Sequence, residues 1–273
     1  MWMDILFGYI CPSLGCLMSS AMYAAPVNEL RCALKAGKLG ALNSTPWAVM
    51  TGNAVGWCAY SYYAWDPFIL ASNIPGLVVS IWLNMGAAKL QYLQVRREHD
   101  ESTQRQTQTG QPIQNESGIF VSQETILLRI LIVWLSLLVC IGWLGVADGY
   151  EKVVVGVLAN INVIFFYGAP LQTMQTVITE KSSESIHVPT MIMNLLNTSF
   201  WILYGVAEVD PVIYFPNIVG FGLGIIQLLL RLMYPVRTDP SIDIAPLLQD
   251  IEGDGGATNA SPLVTDDFPG ELL

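Results

Sequence analysis

Charged side chains are scarce in this chain, and their scarcity excludes an ordinary soluble domain. Asp, Glu, Lys and Arg make up 12% of the 273 residues, whereas 53% are hydrophobic and the mean hydropathy is +0.48. Seven apolar runs are each close to the roughly 20 residues that a membrane-spanning helix needs. They predict an all-α membrane protein with seven transmembrane helices at 5–25, 46–65, 68–90, 126–147, 153–174, 189–207 and 211–234.

Motifs of catalysis, cofactor binding and metal binding are missing as well. The sequence contains no P-loop, no GxGxxG after a strand, no HExxH and no nucleophile elbow. Its five cysteines form no CxxC pair and no cluster with histidine, so neither disulfides nor a metal site is expected. We therefore predict no enzyme, no cofactor, no metal and no nucleic-acid partner.

The chain does contain an internal repeat at an offset of 144 residues. Segment 53–76 reads NAVGWCAYSYYAWDPFILASNIPG, segment 197–220 reads NTSFWILYGVAEVDPVIYFPNIVG, and nine of the 24 positions are identical. The same offset pairs Tyr23, Ala25 and Pro26 with Tyr167, Ala169 and Pro170. Agreement over two neighbouring apolar runs indicates that a three-helix unit has been duplicated.

The order of the segments follows from this duplication. Three helices are an odd number, so two copies share one orientation only if an extra crossing joins them, and the unmatched run at 126–147 supplies it. We predict two parallel three-helix bundles joined by a linker helix (3+1+3). The predicted parts are a first repeat at 1–92, a polar cytoplasmic linker at 93–125, the linker helix at 126–149, a second repeat at 150–235 and a disordered acidic cytoplasmic tail at 236–273.

The distribution of Lys and Arg predicts the topology. Eleven of the twelve fall on one side of the seven predicted spans, and only Lys152 falls on the other. Since cations favour the cytoplasmic side, the N-terminus is expected to be extracellular or lumenal and the C-terminus cytoplasmic. In the first cytoplasmic connection, Arg31, Lys35 and Lys38 are expected in a short loop. The first run has no basic start and is predicted to be retained as a helix instead of being cleaved as a signal peptide.

One polar and aromatic face is repeated in the second and sixth predicted helices. The positions i, i+4 and i+7 carry an amide, an indole and a phenol, namely Asn53, Trp57 and Tyr60 in the first repeat and Asn197, Trp201 and Tyr204 in the second. From the rise of about 1.5 Å per residue, both indoles lie near the middle of the membrane, where Asn73 and Asn217 can meet them. An aromatic plate beside an amide suits a neutral sugar ring, although Trp and Asn also pack between membrane helices without binding anything. Matched pairs in both repeats favour binding.

Residues that occur in both repeats also lie near the two predicted membrane surfaces. Asp66 and Asp210 precede proline, where each could cap a helix, accept a hydrogen bond from the tyrosine of the other repeat, or do both. At the opposite surface, Pro46 and Pro189 suit the first turn of a helix. Pro26 and Pro170 stand near helix ends and could permit a bend.

These motifs together resemble those of the SWEET sugar facilitators, whose halves are parallel repeats. The resemblance covers about residues 5–235 and rests on YAAP and YGAP, on NxxxWxxY twice, and on DP followed by NIxG twice. It implies passive, bidirectional sugar transport by alternating access. The resemblance implies that the sugar is bound by Trp57, Asn73, Trp201 and Asn217, beside Asn53 and Asn197. It implies an outer gate formed by Tyr60, Asp66, Tyr204 and Asp210. It also implies an inner gate or hinge formed by Pro26, Pro46, Pro170 and Pro189. A tryptophan in each repeat resembles the half-size relatives and favours a monosaccharide such as glucose.

Several alternatives stay open at this point. A PQ-loop carrier coupling amino acids to protons would share the repeat, but Val27 and Leu171 stand where such carriers have Gln, and no Asp, Glu, Lys or His is predicted at mid-depth. A seven-helix receptor would share the helix count but not a parallel duplication. The membrane is the plasma membrane or an endomembrane such as the Golgi or vacuole, and homo-oligomers are compatible with the resemblance. In the tail, Asp243 with Leu247 and Leu248 fits an acidic dileucine sorting signal or a plain solvated segment.

Overall fold

The computed structural model describes residues 2–40, 42–109 and 122–236, which are helical with no strand among them. All of its long helices belong to one compact unit that ends at Pro235. Along the chain they are α1 (Trp2–Ile5), a π-helical turn (Leu6–Ile10), α2 (Cys11–Ala24), α3 (Val27–Ala36), α4 (Thr45–Ala64), α5 (Pro67–Thr109), α6 (Gln123–Gly142), α7 (Glu151–Glu180), α8 (Val188–Ala207) and α9 (Pro211–Met233). The dileucine pattern and the tail lie outside the described residues.

The helices form the predicted seven-helix membrane bundle. Five segments are long and apolar enough to cross a membrane, namely Trp2–Ala36, Pro67–Gln104, Gln123–Gly142, Glu151–Glu180 and Pro211–Met233. The other two crossings, α4 and α8, have 20 residues each and carry the repeated amides, which lower their hydropathy. The two helices that look least suited to lipid therefore both contribute side chains to the candidate site.

Helix packing confirms the 3+1+3 arrangement. In the first repeat α2 and α4 pack on α5, and in the second α7 and α8 pack on α9. The repeats meet through α2 against α8 and α4 against α7. Where they meet, one buried apolar cluster draws on both repeats and includes Tyr60, Ile69, Val155, Trp201 and Ile213. The linker helix α6 packs on α4 and α5 of the first repeat.

A buried polar network attaches α6 to the first repeat. The Gln123 amide nitrogen donates to Asn84 Oδ1 at 2.6 Å and to the Ser44 carbonyl at 2.8 Å. Its oxygen accepts from Ser44 Oγ at 2.9 Å, and its backbone N–H donates to Gln91 Oε1 at 2.8 Å. Because Gln123 and Asn84 are almost completely buried, each hydrogen bond replaces one that water would otherwise provide.

Two segments differ from the sequence prediction because buried contacts and a cap extend their helices. Residues 27–36 were expected as a loop but form α3, whose Leu30 is fully buried against Leu83 and Leu90, and whose end at Gly37 has the left-handed φ of 65° that favours glycine. The linker predicted from residue 93 begins as helix, since α5 continues to Thr109. The apolar residues of α3, Val27, Leu30 and Leu34, recur at helical spacing, but a segment of ten residues is too short to be predicted with certainty as a helix from that pattern.

Candidate functional site between the repeats

Two tyrosine–aspartate hydrogen bonds join the repeats at one end of the bundle. Tyr60 Oη donates to Asp210 Oδ2 at 2.5 Å, and Tyr204 Oη donates to Asp66 Oδ2 at 2.8 Å. Both tyrosines are buried, and so is Asp210. We call these the outer pairs and the end that holds them the outer end. Each pair takes its tyrosine from one repeat and its carboxylate from the other, as the duplicated sequence predicted.

Each aspartate of the outer pairs also caps its own helix. Asp66 Oδ1 accepts from the backbone N–H of Phe68 at 2.9 Å and of Ile69 at 3.1 Å, and Asp210 Oδ1 accepts from that of Val212 at 3.1 Å. One carboxylate oxygen thus serves the helix start while the other serves the opposite repeat. The capping and the cross-repeat interpretations therefore hold together.

A lysine at the outer end breaks the symmetry of the two pairs. Lys152 Nζ lies 2.7 Å from Asp210 Oδ2 and 5.8 Å from the centroid of the Tyr60 ring. At the repeat offset its counterpart is Gly8, and no Lys or Arg of the described residues pairs with Asp66. Sequence reasoning did not include Lys152 in the site. The available signal was its isolation, as the one cation predicted on the outer side.

An open cavity of about 690 Å³ lies at the outer end and is bordered by the outer pairs. Its walls include Asp66, Asp210, Lys152 and Tyr204, together with residues of α1 and the π-helical turn such as Tyr9. The tyrosine–aspartate hydrogen bonds therefore separate this vestibule from the side chains deeper between the repeats.

Trp201 and Asn197 of the second repeat are connected through a serine of the first. Trp201 Nε1 donates to Ser19 Oγ at 3.2 Å, and Ser19 Oγ donates to Asn197 Oδ1 at 2.9 Å. A Cβ on Gly15, one helical turn before Ser19, would lie 2.9 Å from the Trp201 ring. Only glycine lets the indole lie so close to α2. Ser19 was missed because its counterpart in the second repeat is Val163, so no repeated motif marked it.

The asparagines of α5 and α9 are oriented alike. Asn73 Nδ2 donates to the Ile69 carbonyl at 2.8 Å, and Asn217 Nδ2 donates to the Ile213 carbonyl at 2.7 Å. Asn73 Oδ1 additionally accepts from Tyr23 Oη at 3.1 Å. Neither amide bonds to an indole within the described residues, so the predicted meeting of Trp and Asn around one ligand stays a prediction.

Three buried amide oxygens have no hydrogen-bond donor in the described part of the chain. They belong to Asn53 on α4 and to Asn160 and Asn162 on α7. Asn160 Nδ2 donates to the Val212 carbonyl at 3.1 Å, and Gly156, one turn earlier on the same face of α7, lies against Tyr60 of the first repeat. The Asn162 amide is on the opposite face of α7 and lies against Gly52 of α4, beside Trp134 of α6. Buried acceptors are normally satisfied, and groups left over mark a place where another donor can bind.

Comparison with known proteins identifies the fold and the family. The sequence profile of the family described as "Sugar efflux transporter for intercellular exchange" matches residues 9–85 and 153–239, which are the two repeats without the linker helix. The chain belongs to this family, the SWEET family. A SWEET structure titled "The 3.7 A resolution structure of a eukaryotic SWEET transporter" matches with a TM-score of 0.63 and 22% identity. That match covers 86% of this chain and 99% of the other and establishes the shared fold.

Individual SWEET relatives align over one repeat-sized segment. The Petunia hybrida protein named bidirectional sugar transporter NEC1 is 41% identical over 90 residues, which are 32% of this chain and 34% of that protein. Sugar transporter SWEET1 of Drosophila pseudoobscura pseudoobscura is 35% identical over 85 residues, or 31% of this chain and 38% of that protein. The chain thus spans about a third of the length of the curated SWEET relatives it matches.

The four prolines of this SWEET chain lie away from the outer pairs but do not form a symmetric set. Pro46 and Pro189 occupy the first turns of α4 and α8, as predicted. Pro26 stands between α2 and α3, where the helix breaks, whereas Pro170 lies inside the unbroken α7. The two positions expected to bend the chain are thus different in the two repeats. Their role as a hinge stays a prediction.

Proposed function

We propose that this chain is a passive, bidirectional sugar uniporter that works by alternating access and accepts a monosaccharide such as glucose. Membership of the SWEET family supports this, as do relatives named as bidirectional sugar transporters. The observation that carries the proposal is that buried amide oxygens between the repeats lack a donor among the described residues.

The sugar binds between the repeats beneath the outer pairs. Its hydroxyls donate to the buried oxygens of Asn53 and Asn160, which have no donor within the described residues. Its apolar ring face lies against the indoles of Trp57 and Trp201. Asn73 and Asn217 complete the site from α5 and α9, and Asn197 is positioned by Ser19. Side chains from both repeats are therefore required for one ligand.

Alternating access follows from the cross-repeat bonds. In this conformation both outer pairs are closed, so the site is separated from the outer vestibule. Opening them requires two hydrogen bonds to break, while the proline positions at the other end permit the opposite movement. The closed outer pairs would give way when the inner end closes, and a sugar would cross in either direction down its gradient.

Transport is uncoupled from protons because the ionisable groups of the spans lie at the ends. Among the described residues of the seven crossings, Lys152, Asp66 and Asp210 stand at the outer end, and Arg129 lies close to the start of α6. The middle of the bundle offers amides, hydroxyls and indoles instead. The topology that fits this scheme has the N-terminus extracellular or lumenal and the C-terminus cytoplasmic, in the plasma membrane or an endomembrane.

Sugar flux in liposomes containing only this protein tests the proposal. We expect saturable uptake of radiolabelled glucose that does not change when a pH gradient is imposed. Asn73→Ala and Asn217→Ala should each lower uptake roughly tenfold, because losing one hydrogen bond in a buried site costs about 1.4 kcal/mol or more. Asn28→Ala, which changes an exposed asparagine of α3, is the matched control and should transport normally.

Two outcomes would contradict the proposal. Uptake that requires a proton gradient would favour a coupled carrier. Native-like glucose flux in a correctly folded Asn73→Ala/Asn217→Ala double variant would show that the sugar binds elsewhere.

A further inference from the structure

Six exposed cations gather on the first repeat at the end of the bundle opposite the outer pairs. They come from α3, the residue that follows its cap, and the later part of α5, and they are Arg31, Lys35, Lys38, Lys89, Arg96 and Arg97. Within residues 27–40 and 89–97 the one acid is Glu29. We call this set the basic surface.

The shape of α3 separates the cations from the apolar core. Arg31 and Lys35 are one helical turn apart and share a face. Leu30 points away from them and is fully buried in a cluster with Leu83 and Leu90 of α5. Glu29 lies on a different side of the helix from Arg31 by the same geometry. The charged face of α3 is consequently free of the acid that could neutralise it.

A contact between α3 and α5 brings the two parts of the basic surface together. The Arg97 guanidinium donates to the carbonyl of Gly37, the residue that caps α3, and also to the Leu93 carbonyl of its own helix. Lys38 directly follows Gly37, so it lies beside the Arg96–Arg97 segment of α5. Arg97 therefore connects α3 to α5, while the other five cations of the basic surface remain exposed.

The depth of these cations matches the headgroup layer of a bilayer. With a rise of 1.5 Å per residue, Lys89 lies roughly 33 Å and Arg96 roughly 44 Å along α5 from Pro67. A bilayer has a hydrocarbon core of about 30 Å and a total thickness of about 40–45 Å with its headgroups. With Pro67 at the outer edge of the core, Lys89 thus lies in the headgroup layer, and Arg96 lies several ångströms beyond it, within the reach of a long side chain.

The second repeat shows that the fold does not need this charge. At the repeat offset, the positions of Arg31, Lys35 and Lys38 are occupied by Gln175, Thr179 and Ser182, and Lys89 by Met233. Both repeats build the same three-helix unit, yet only one carries the cations. Their presence on one side calls for a partner of opposite charge.

We propose that the basic surface binds the headgroups of anionic phospholipids in the adjacent leaflet. Cations placed immediately beyond a membrane span attract such lipids, and the strength grows with each added Lys or Arg. The side chains reach the headgroup phosphates and carboxylates while the apolar face of α3 stays packed on α5. Since the lipid contacts only the first repeat, it anchors that repeat and α6 relative to the second.

Lipid association, measured without any sugar, tests this proposal independently of transport. The protein is reconstituted in phosphatidylcholine bilayers, and electron paramagnetic resonance gives the fraction of spin-labelled phosphatidylserine or phosphatidylcholine held at its surface. For the native chain we expect phosphatidylserine to be preferred roughly threefold or more, and less so as salt is raised. Arg31→Gln/Lys35→Gln should remove at least half of that preference.

Matched variants decide between charge and folding. Arg129→Gln/Lys181→Gln removes one Arg and one Lys outside the basic surface and should lower the preference by less than half as much as Arg31→Gln/Lys35→Gln. Arg31→Lys/Lys35→Arg keeps both charges and should keep the native preference. The proposal is overturned if the native chain shows no preference for phosphatidylserine, or if both glutamine pairs lower it equally. It is also overturned if inorganic phosphate displaces the lipid better than chloride at equal ionic strength, because the site would then accept a free anion.

Discussion

Lys152 Nζ lies 2.7 Å from the same Asp210 oxygen that accepts the hydroxyl of Tyr60. The counterpart of Lys152 in the first repeat is Gly8, and Asp66 accepts Tyr204 without an added cation. A duplicated fold has therefore acquired two outer pairs that are chemically different. The difference predicts that the two outer pairs do not contribute equally to keeping the site beneath the vestibule closed.

Replacing Lys152 by Met should make the outer end open more often. The substitution removes an ion pair from a buried carboxylate and the cation above the Tyr60 ring, although Lys152 itself is about half exposed and solvent screens part of the effect. The assay uses a chain in which every cysteine except Cys16 is changed to serine; the Cys16 thiol donates to the Phe68 carbonyl. In that chain, we expect Lys152→Met to raise the rate at which a membrane-impermeant maleimide labels Cys16 roughly two- to fivefold.

Lys181→Met is the control for the Lys152 experiment, since Lys181 ends α7 away from the outer pairs. It should leave the labelling rate of Cys16 unchanged. Equal rates for Lys152→Met and the native chain would mean that the ion pair does not stabilise the closed outer end.

Tyr204→Phe should disturb the outer end more than Tyr60→Phe. Each change deletes a single hydroxyl that donates to a carboxylate, an interaction of about 1.5–3 kcal/mol. Asp210 keeps Lys152 when Tyr60 loses its hydroxyl, whereas Asp66 keeps, within the described part of the chain, the backbone donors at the start of α5. In the same assay, the labelling rate of Cys16 should rise roughly tenfold or more for Tyr204→Phe and by a smaller factor for Tyr60→Phe. A larger increase for Tyr60→Phe than for Tyr204→Phe would contradict the proposal that Lys152 makes the two outer pairs unequal.

The features that could be predicted from the sequence are those that occur in both repeats. The seven helices, the 3+1+3 arrangement and the crossing of Tyr60 to Asp210 all follow from repeated motifs and the length of the apolar runs. Ser19 and Lys152 belong to one repeat only, since Val163 and Gly8 stand in their places, so comparison of the halves could not reveal them. Asn160 and Asn162 were missed because nothing in α7 distinguishes an amide that faces the other repeat from one that bonds within its own bundle.

Helix ends were harder to predict for a different reason. The apolar residues of α3 recur at helical spacing over only ten residues, and its helix also depends on the packing of Leu30 against Leu83 and Leu90 of α5. Those contacts join residues more than 50 positions apart, and a local pattern does not contain them.

Gln123→Leu should destabilise the first repeat without affecting the sugar site directly. The leucine would leave Asn84 Oδ1 without its donor and Ser44 Oγ without its acceptor, while the backbone N–H of residue 123 would still donate to Gln91. A buried group left unpaired costs about 1–3 kcal/mol, so the free energy of unfolding in detergent should fall by about 2 kcal/mol. Gln94 is exposed on α5 and donates to Glu98, so Gln94→Leu should lower the free energy of unfolding by less than about 0.5 kcal/mol. Equal stabilities would show that α6 is held by apolar packing alone.

Gly15→Ala should weaken sugar binding by moving an indole. The new methyl would lie 2.9 Å from the Trp201 ring, closer than atoms normally approach, so the indole must shift or α2 must move away from α8. Either movement breaks the hydrogen bond from Trp201 to Ser19, which positions Asn197. We expect the KM for glucose exchange in liposomes to rise roughly tenfold, the effect of losing about 1.4 kcal/mol of binding. Gly8→Ala is the matched control, because a Cβ there would meet no atom within 4 Å, and its KM should stay at the native value. A native KM for a folded Gly15→Ala variant would place Trp201 outside the sugar site.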